Sequence, residues 1–296
     1  MARGEGAASA RQRLLRLAVT VWPGTLWLVV FMLVPALYML YASFLRRGPH
    51  GTLVGPPTLE NYLRFLGFTP QGFDPLYLEI LARSVGFAAV VTLLTLALGY
   101  PLAFAIARSR HRELLLLLVI LPFWTNFLIR VYAWIVIFQR RGVLNAVLGA
   151  LGLDPVSLYP SWTAVYVATV YTYLPFLVLP VYAAVERVDW TLLEAAYDLG
   201  AGRLKGFLHA VVPQTLPGVV AGVLLVFIPA LGTFVISDLL GAGRVVLIGN
   251  VIQQQFGVVR DWAFGSAASY VLMALVLAGL YLYARVAGEE GLDRLV

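Results

Sequence analysis

Cysteine is absent from the 296 residues, which excludes disulfides, thiolate nucleophiles and cysteine metal sites. Charge is almost as scarce: Asp, Glu, Lys and Arg make up 12% of the chain against 61% hydrophobic residues, and mean hydropathy is +0.86. Soluble domains carry roughly a quarter charged residues, so this composition belongs to a membrane protein rather than to a water-soluble core. Histidine is limited to His50, His111 and His209, each in or beside a loop. No HExxH metal pair, GxSxG nucleophile elbow or dense carboxylate cluster occurs, which leaves a membrane-embedded enzyme without a catalytic constellation. A phosphate-cradling GxxxxGK[ST] loop is also missing, so the chain cannot itself hydrolyse ATP. The net charge of +6 would suit nucleic acid, but the basic residues fall in short clusters between apolar stretches rather than along one face, and membrane orientation accounts for them better. No nucleic-acid partner, cofactor or metal is expected on this chain.

What the sequence has in abundance is uncharged length. A bilayer core of about 30 Å needs roughly 20 apolar residues in helix, and lipid tolerates no unpaired backbone. Stretches 17–45, 84–107, 155–185, 206–237 and 262–284 contain no Asp, Glu, Lys or Arg, and 114–139 is interrupted only by Arg130. The first follows Arg11, Arg13 and Arg16 and is too long for a signal-peptide core, so it is expected to be a retained helix. The pattern predicts an all-α integral membrane protein of about six transmembrane helices. Its membrane domain is expected over 17–287, between tails 1–16 and 288–296. A shorter uncharged run, 245–259, contains Gly249 and Gly257 and is too short to cross, so an outer re-entrant or interfacial segment is expected there. Six crossings put both termini on one side. Grouping them with alternate loops collects twelve of the basic residues, against eight on the other side, and the positive-inside rule then makes the termini cytoplasmic. Prolines 23, 35, 101, 122, 175, 180 and 229 fall within the spans, where they act as ordinary kinks or gating bends.

Between the fourth and fifth spans lies the one long polar loop, 186–217. Leu192, Leu193, Ala196 and Leu199 recur at helical spacing, while Asp189, Glu194 and Asp198 decorate another face. Asp189 is placed to cap this helix. Gly200 and Gly202 supply a stop and turn before a second short helix over 203–209. Composition alone leaves this a surface linker lying against the membrane.

The spacing Glu194-Ala195-Ala196, three residues, Gly200, then Pro213 resembles the EAA motif of the type I ABC-importer permeases; Ala210 and Val212 stand where that motif has Ile and Leu. The resemblance implies that this loop is a coupling helix that docks on an ATP-hydrolysing subunit, through Glu194, Ala195, Ala196, Asp198 and Gly200, with Arg203 and Lys205 touching either the motor or anionic headgroups. Similarity covers about 58–285. Segments 58–66, 121–134, 229–241, 247–256 and 260–265 look like the first permease subunit of spermidine/putrescine importers, and permeases for iron, opines and phosphonates share parts of them. The resemblance implies a bacterial plasma-membrane location, a heterodimer with a second permease, two copies of a cytoplasmic ATPase that uses ATP and Mg, and an external substrate-binding protein. A passive channel would have no use for an EAA loop.

For a cationic solute, the fifth span offers Phe227, Leu231, Phe234 and Asp238 at intervals of four, three and four, hence on one helical face if the helix is continuous. Asp238 would then lie near the C-terminal end of that helix, where the macrodipole disfavours an anion. It serves either as a cation contact or as a partner for Arg244, Arg130 or a helix end. Trp124 and Asn126 are further path candidates or interface residues, and Gln253, Gln254 and Gln255 form a polar lip or a binding-protein contact. Arg130 is expected to snorkel outward along a helix continuous from Glu113, or else to act in closing the pore.

Overall fold

The computed structural model describes residues 21–292, with side chains to Arg285. The tail 1–16, the start of the first span at 17–20, and residues 293–296 lie outside the described residues. Five helices are long and apolar enough to cross a membrane, or six if one sharply bent pair is counted as a span. The chain divides into two compact units, Pro75–Gln253 and the residues flanking it on both sides.

In the central unit, three long helices form the core: α3 (Leu76–Ala107), α7 (Trp162–Val185) and α9 (Arg203–Leu231). Lipid tails are as apolar as leucine, so helices associate in a membrane through close packing of small residues. Ala103, Ala164, Ala168, Ala230 and Leu177 are fully buried here. A Cβ on Gly218 of α9 would lie 2.5 Å from Ala184 Cβ and 2.6 Å from the Pro180 carbonyl of α7, so the backbones meet where glycine leaves room. Buried hydroxyls are satisfied within their own helices: Thr92, Thr95, Thr169 and Thr172 each donate to the carbonyl four residues back, at 2.6–2.7 Å. α3 and α7 continue through Pro101, Pro175 and Pro180 as single helices.

Two expected spans are broken. The stretch 114–139 is a short helix α4 (Arg112–Ile120) that tightens into a 3-10 turn (Leu121–Trp124); after Thr125 and Asn126, α5 (Phe127–Phe138) sets off. The two arms meet at 95°, and α6 (Val143–Ala150) follows. Pro122 cannot donate to an α-helical ladder, Thr125 is extended, and the Asn126 carbonyl caps the new helix by accepting from Leu128 N–H (2.8 Å) and Ile129 N–H (3.4 Å). Arg130 therefore does not snorkel along a helix continuous from Glu113. Its guanidinium lies over Phe123 (5.4 Å) and Phe127 (6.0 Å). The fifth span likewise stops at Leu231, and the separate helix α10 (Val235–Gly241) begins after Gly232 and Thr233.

The flanking unit holds α1 (Val21–Ser43), whose π-turn Val29–Leu33 precedes Pro35, and α12 (Trp262–Leu292), which packs along it; Tyr270 donates its hydroxyl to the Ala36 carbonyl. α12 stays helical to Leu292, so the expected tail from 288 begins inside this helix. Two two-residue antiparallel pairs interrupt the all-α pattern: β1 (Arg46–Arg47) with β2 (Leu53–Val54), and β3 (Phe68–Thr69) with β4 (Gly72–Phe73). Between them α2 (Glu60–Phe65) is anchored by Asn61, whose amide donates to the Ser43 and Leu45 carbonyls, and by Arg64, which pairs with Asp261 at 2.9 Å. The run 245–259 contains only the nine-residue helix α11 (Ile248–Phe256).

Candidate coupling and translocation sites

The EAA residues lie on α8 (Thr191–Asp198). Asp189 opens it: the carboxylate accepts from Thr191 N–H (3.0 Å) and Thr191 hydroxyl (2.7 Å), and these bonds, the side-chain one first, hold its pKa below the ordinary value. The helix ends on a Schellman closure. Gly200 N–H donates to Tyr197 C=O and Ala201 N–H to Ala196 C=O, both at 2.9 Å, with Gly200 in the left-handed region at φ +82°. A glycine is needed there because a side chain disfavours that conformation.

The expected second short helix over 203–209 is not separate. It is the first part of α9: residues Arg203–Gly206 pass through a π-turn, Phe207–Val211, directly into the fifth span. The wide turn sits just before Pro213, whose missing amide cannot close a bond one turn back. α8 folds onto this junction at Gly206, where a Cβ would meet Tyr197 Cε1 at 2.8 Å and Leu193 Cδ1 at 3.0 Å. Gln214 ties the two ends of the loop together, accepting from Asp189 N–H (2.9 Å) and donating to Ala210 C=O (2.6 Å). Sequence inspection passed over Gln214 because its partner lies 25 residues upstream.

The apolar face of α8 divides. Leu193 and Ala196 turn inward, but Leu199 is 90% exposed, Leu192 52%, and Leu204 beyond the turn 70%. Glu194, Ala195, Asp198, Arg203 and Lys205 are exposed beside them. The hook thus presents leucines, small residues and both signs of charge on one outward surface. At its root, Trp190 carries the Arg108 guanidinium over its ring at 4.9 Å, and Arg112 pairs with Glu186 at 3.0 Å.

The path candidates are not one face of one helix. Phe227 is half-buried on α9 and Leu231 is buried, whereas Phe234 and Asp238 lie beyond the break, exposed. Because α10 starts anew, Asp238 occupies its first turn, where the backbone dipole favours an anion, the reverse of the expectation for a continuous helix. Asp238 pairs with neither Arg244 nor Arg130: among the described residues its side-chain partner is the amide of Asn250, which donates to the carboxylate and to the Phe234 carbonyl. The Asn250 carbonyl in turn accepts from Ser237 (2.9 Å) and Leu247 N–H (2.8 Å). Asn250 is 1% exposed, so a buried amide holds an exposed carboxylate. Trp124 is 76% exposed at the 95° bend, and the Asn126 oxygen is occupied as a helix cap. Gln253 and Gln254 are exposed, while Gln255 is buried and so not part of a lip. Tyr166 packs its ring against Phe87 at 4.9 Å with the planes tilted by 34°, as a packing residue does.

Residues 82–287 match the profile of the binding-protein-dependent transport system inner membrane component. The chain belongs to that family. This permease is 44% identical over 263 residues to the spermidine/putrescine transport system permease protein PotB of Escherichia coli, covering 88% of this chain and 93% of that one. It is 41% identical over 263 residues to PotB of Haemophilus influenzae, covering 88% and 90%. Its fold resembles that of a chain in a solved bacterial ABC transporter involved in the import of the acidic polysaccharide alginate, with TM-score 0.64 at 18% identity over 95% of this chain and 99% of that one. The permease is a multi-pass membrane protein of the ABC-importer class.

Proposed function

We propose that this permease forms half of the translocation pathway of an ATP-driven polyamine importer, taking spermidine or putrescine from an external binding protein. A second permease completes the pathway, two copies of a cytoplasmic ATPase supply the energy from ATP and Mg, and the termini and coupling hook face the cytoplasm of a bacterial plasma membrane. The observation that carries the reading is the 44% identity across 88% of the chain to a spermidine/putrescine permease. Geometry supports it at both ends. The exposed Leu199, Leu204 and Glu194 on a hook continuous with α9 suit docking on a motor. The exposed Asp238 carboxylate, held by a neutral amide rather than by a cation, is free to meet a protonated amine.

Weak contacts of this kind suffice in a pathway, because a solute must leave as readily as it enters. The test is reconstitution of both permeases, the ATPase and the binding protein in proteoliposomes. Spermidine and putrescine are expected to stimulate ATP hydrolysis, whereas ferric iron, opines and phosphonates are not. Stimulation by one of those solutes and not by polyamines overturns the substrate; hydrolysis indifferent to the binding protein overturns the importer.

A further inference from the structure

At the root of the coupling hook, the ends of two spans and the start of another enclose a cleft of about 460 Å³ lined by Ala107, Arg108, Arg112, Glu186, Arg187 and Trp190. α3 ends at Ala107 and α7 at Val185, while α4 begins at Arg112. The cleft therefore lies where helices leave the apolar layer, at headgroup depth. Three arginines face one glutamate, and that glutamate is already paired with Arg112. The Arg108 guanidinium lies over the rings of Trp190 (4.9 Å) and Phe104 (5.9 Å), contacts that do not neutralise its charge. Among the described residues neither Arg108 nor Arg187 has a salt-bridge partner within 4.0 Å. The cleft carries surplus positive charge.

A second groove, about 300 Å³, lies between the same three helices deeper in the bundle, lined by Leu102, Ala105, Leu115, Leu118, Tyr171 and Leu174 among others, all apolar but for the tyrosine hydroxyl. At 1.5 Å per helical residue, its lining begins about 3 to 5 Å from the arginines, at Ile106 on α3 and Leu115 on α4, and ends about 15 Å away at Pro122 beyond α4 and about 24 Å away at Tyr171 on α7. One leaflet of the apolar core is about 15 Å deep. A cationic cleft at headgroup depth above an apolar groove one leaflet long matches the shape of a phospholipid.

We infer that these two cavities form a binding site for an anionic glycerophospholipid of the leaflet on the coupling-hook side, its phosphate against Arg108 and Arg187 and an acyl chain in the groove between α3, α4 and α7. The lipid would then touch Trp190, the residue at the start of the coupling helix, and make the position of the hook sensitive to membrane charge.

The test uses the assembled importer in nanodiscs of phosphatidylcholine with a minority of phosphatidylglycerol, with native mass spectrometry to count phosphatidylglycerol retained after detergent washing. Each basic residue near an anionic surface contributes about 1 kcal/mol, so Arg108→Gln with Arg187→Gln is expected to weaken retention roughly thirtyfold, and Arg108→Lys with Arg187→Lys to restore most of it. Ala105→Trp approaches the site from its other end: filling the groove is expected to expel the lipid while leaving the arginines in place. Equal retention by wild type, the double glutamine variant and Ala105→Trp overturns the site. So does displacement of the lipid by millimolar glycerol phosphate with no effect of Ala105→Trp, since that marks a free-phosphate site. Retention by the two permeases without the ATPase that is lost in the assembled importer overturns it too, assigning the cleft to the motor.

Discussion

Gly200 offers a clean separation between backbone and space. Its φ of +82° closes the Schellman turn after the EAA helix, yet a Cβ placed on it meets nothing within 4 Å in this chain. A substitution therefore introduces no clash inside the permease, and its cost is conformational: about 1 kcal/mol for alanine in the left-handed region and more for a β-branched residue. One kcal/mol is about a fivefold shift toward conformations with the hook opened. Asparagine tolerates the left-handed region, so Gly200→Asn is the control that adds a side chain while keeping the turn. The assay is binding-protein-stimulated uptake in proteoliposomes, alongside the amount of each variant inserted in the membrane. Gly200→Val is expected to abolish uptake, Gly200→Ala to lower it about fivefold and Gly200→Asn to retain most of it, all at wild-type insertion. Equal damage by valine and asparagine would refute the backbone account and leave the space beside the motor as the requirement. Wild-type uptake by Gly200→Val would remove the coupling role altogether.

Gln214→Leu keeps the volume but loses the bond to Asp189 N–H; at about 0.5–1.5 kcal/mol per hydrogen bond, uptake per ATP hydrolysed should fall by up to about tenfold with membrane insertion intact. Asp238→Asn keeps an oxygen to accept from Asn250, so it should lower spermidine uptake without moving the melting temperature, whereas Asn250→Leu strands the buried Leu247 N–H, leaving Ser237 its bond to the Phe234 carbonyl and Asp238 to solvent, and should destabilise by about 1–3 kcal/mol in a thermal melt. Gly218→Leu drives a side chain into Ala184 and the Pro180 carbonyl and should cost about 1–3 kcal/mol or prevent assembly of α7 on α9, while Gly232→Ala, with nothing within 4 Å, should be near neutral in the same melt. Asp189 has its pKa held below the ordinary 3.8 by the Thr191 bonds, so these bonds are fully present above that value and are lost as pH falls through the lower, folded-state pKa; amide exchange at Thr191 should quicken in that acid window in wild type and stay flat in Asp189→Asn.

The long helices were legible because an uncharged stretch of membrane length permits little else. The hook was legible because Gly200 and Pro213 each mark a backbone event, the first a left-handed closure and the second a missing donor. The breaks were hidden for a physical reason: absence of charge says that a segment is apolar, not that it is straight. Pro175 and Pro180 lie inside a continuous helix, whereas Pro122 ends one. The difference lies downstream, in Thr125 going extended and Asn126 supplying a cap oxygen, so that stopping and restarting leaves fewer stranded amides than continuing. Missing the stop at Leu231 reversed the dipole acting on Asp238. Gln214 and Asn250 were invisible because each earns its role from residues far along the chain.

These corrections change how a push on the hook travels. With a free joint at Gly202 to Pro213, movement of α8 would be absorbed in the loop. Instead α8 is seated on Gly206 and clamped by Gln214, and from Arg203 the chain is one 29-residue helix, about 43 Å long, to Leu231. Its prolines leave it unbroken, and its only wide turn lies at the hook itself. Under the proposed coupling role, a displacement applied at Glu194 or Leu199 would be carried along α9 to the break at Gly232, and the element on the far side of that break is α10, which carries Asp238. The broken span that disqualified a continuous path-lining face is thus the place where motion from the hook can alter the surroundings of the carboxylate.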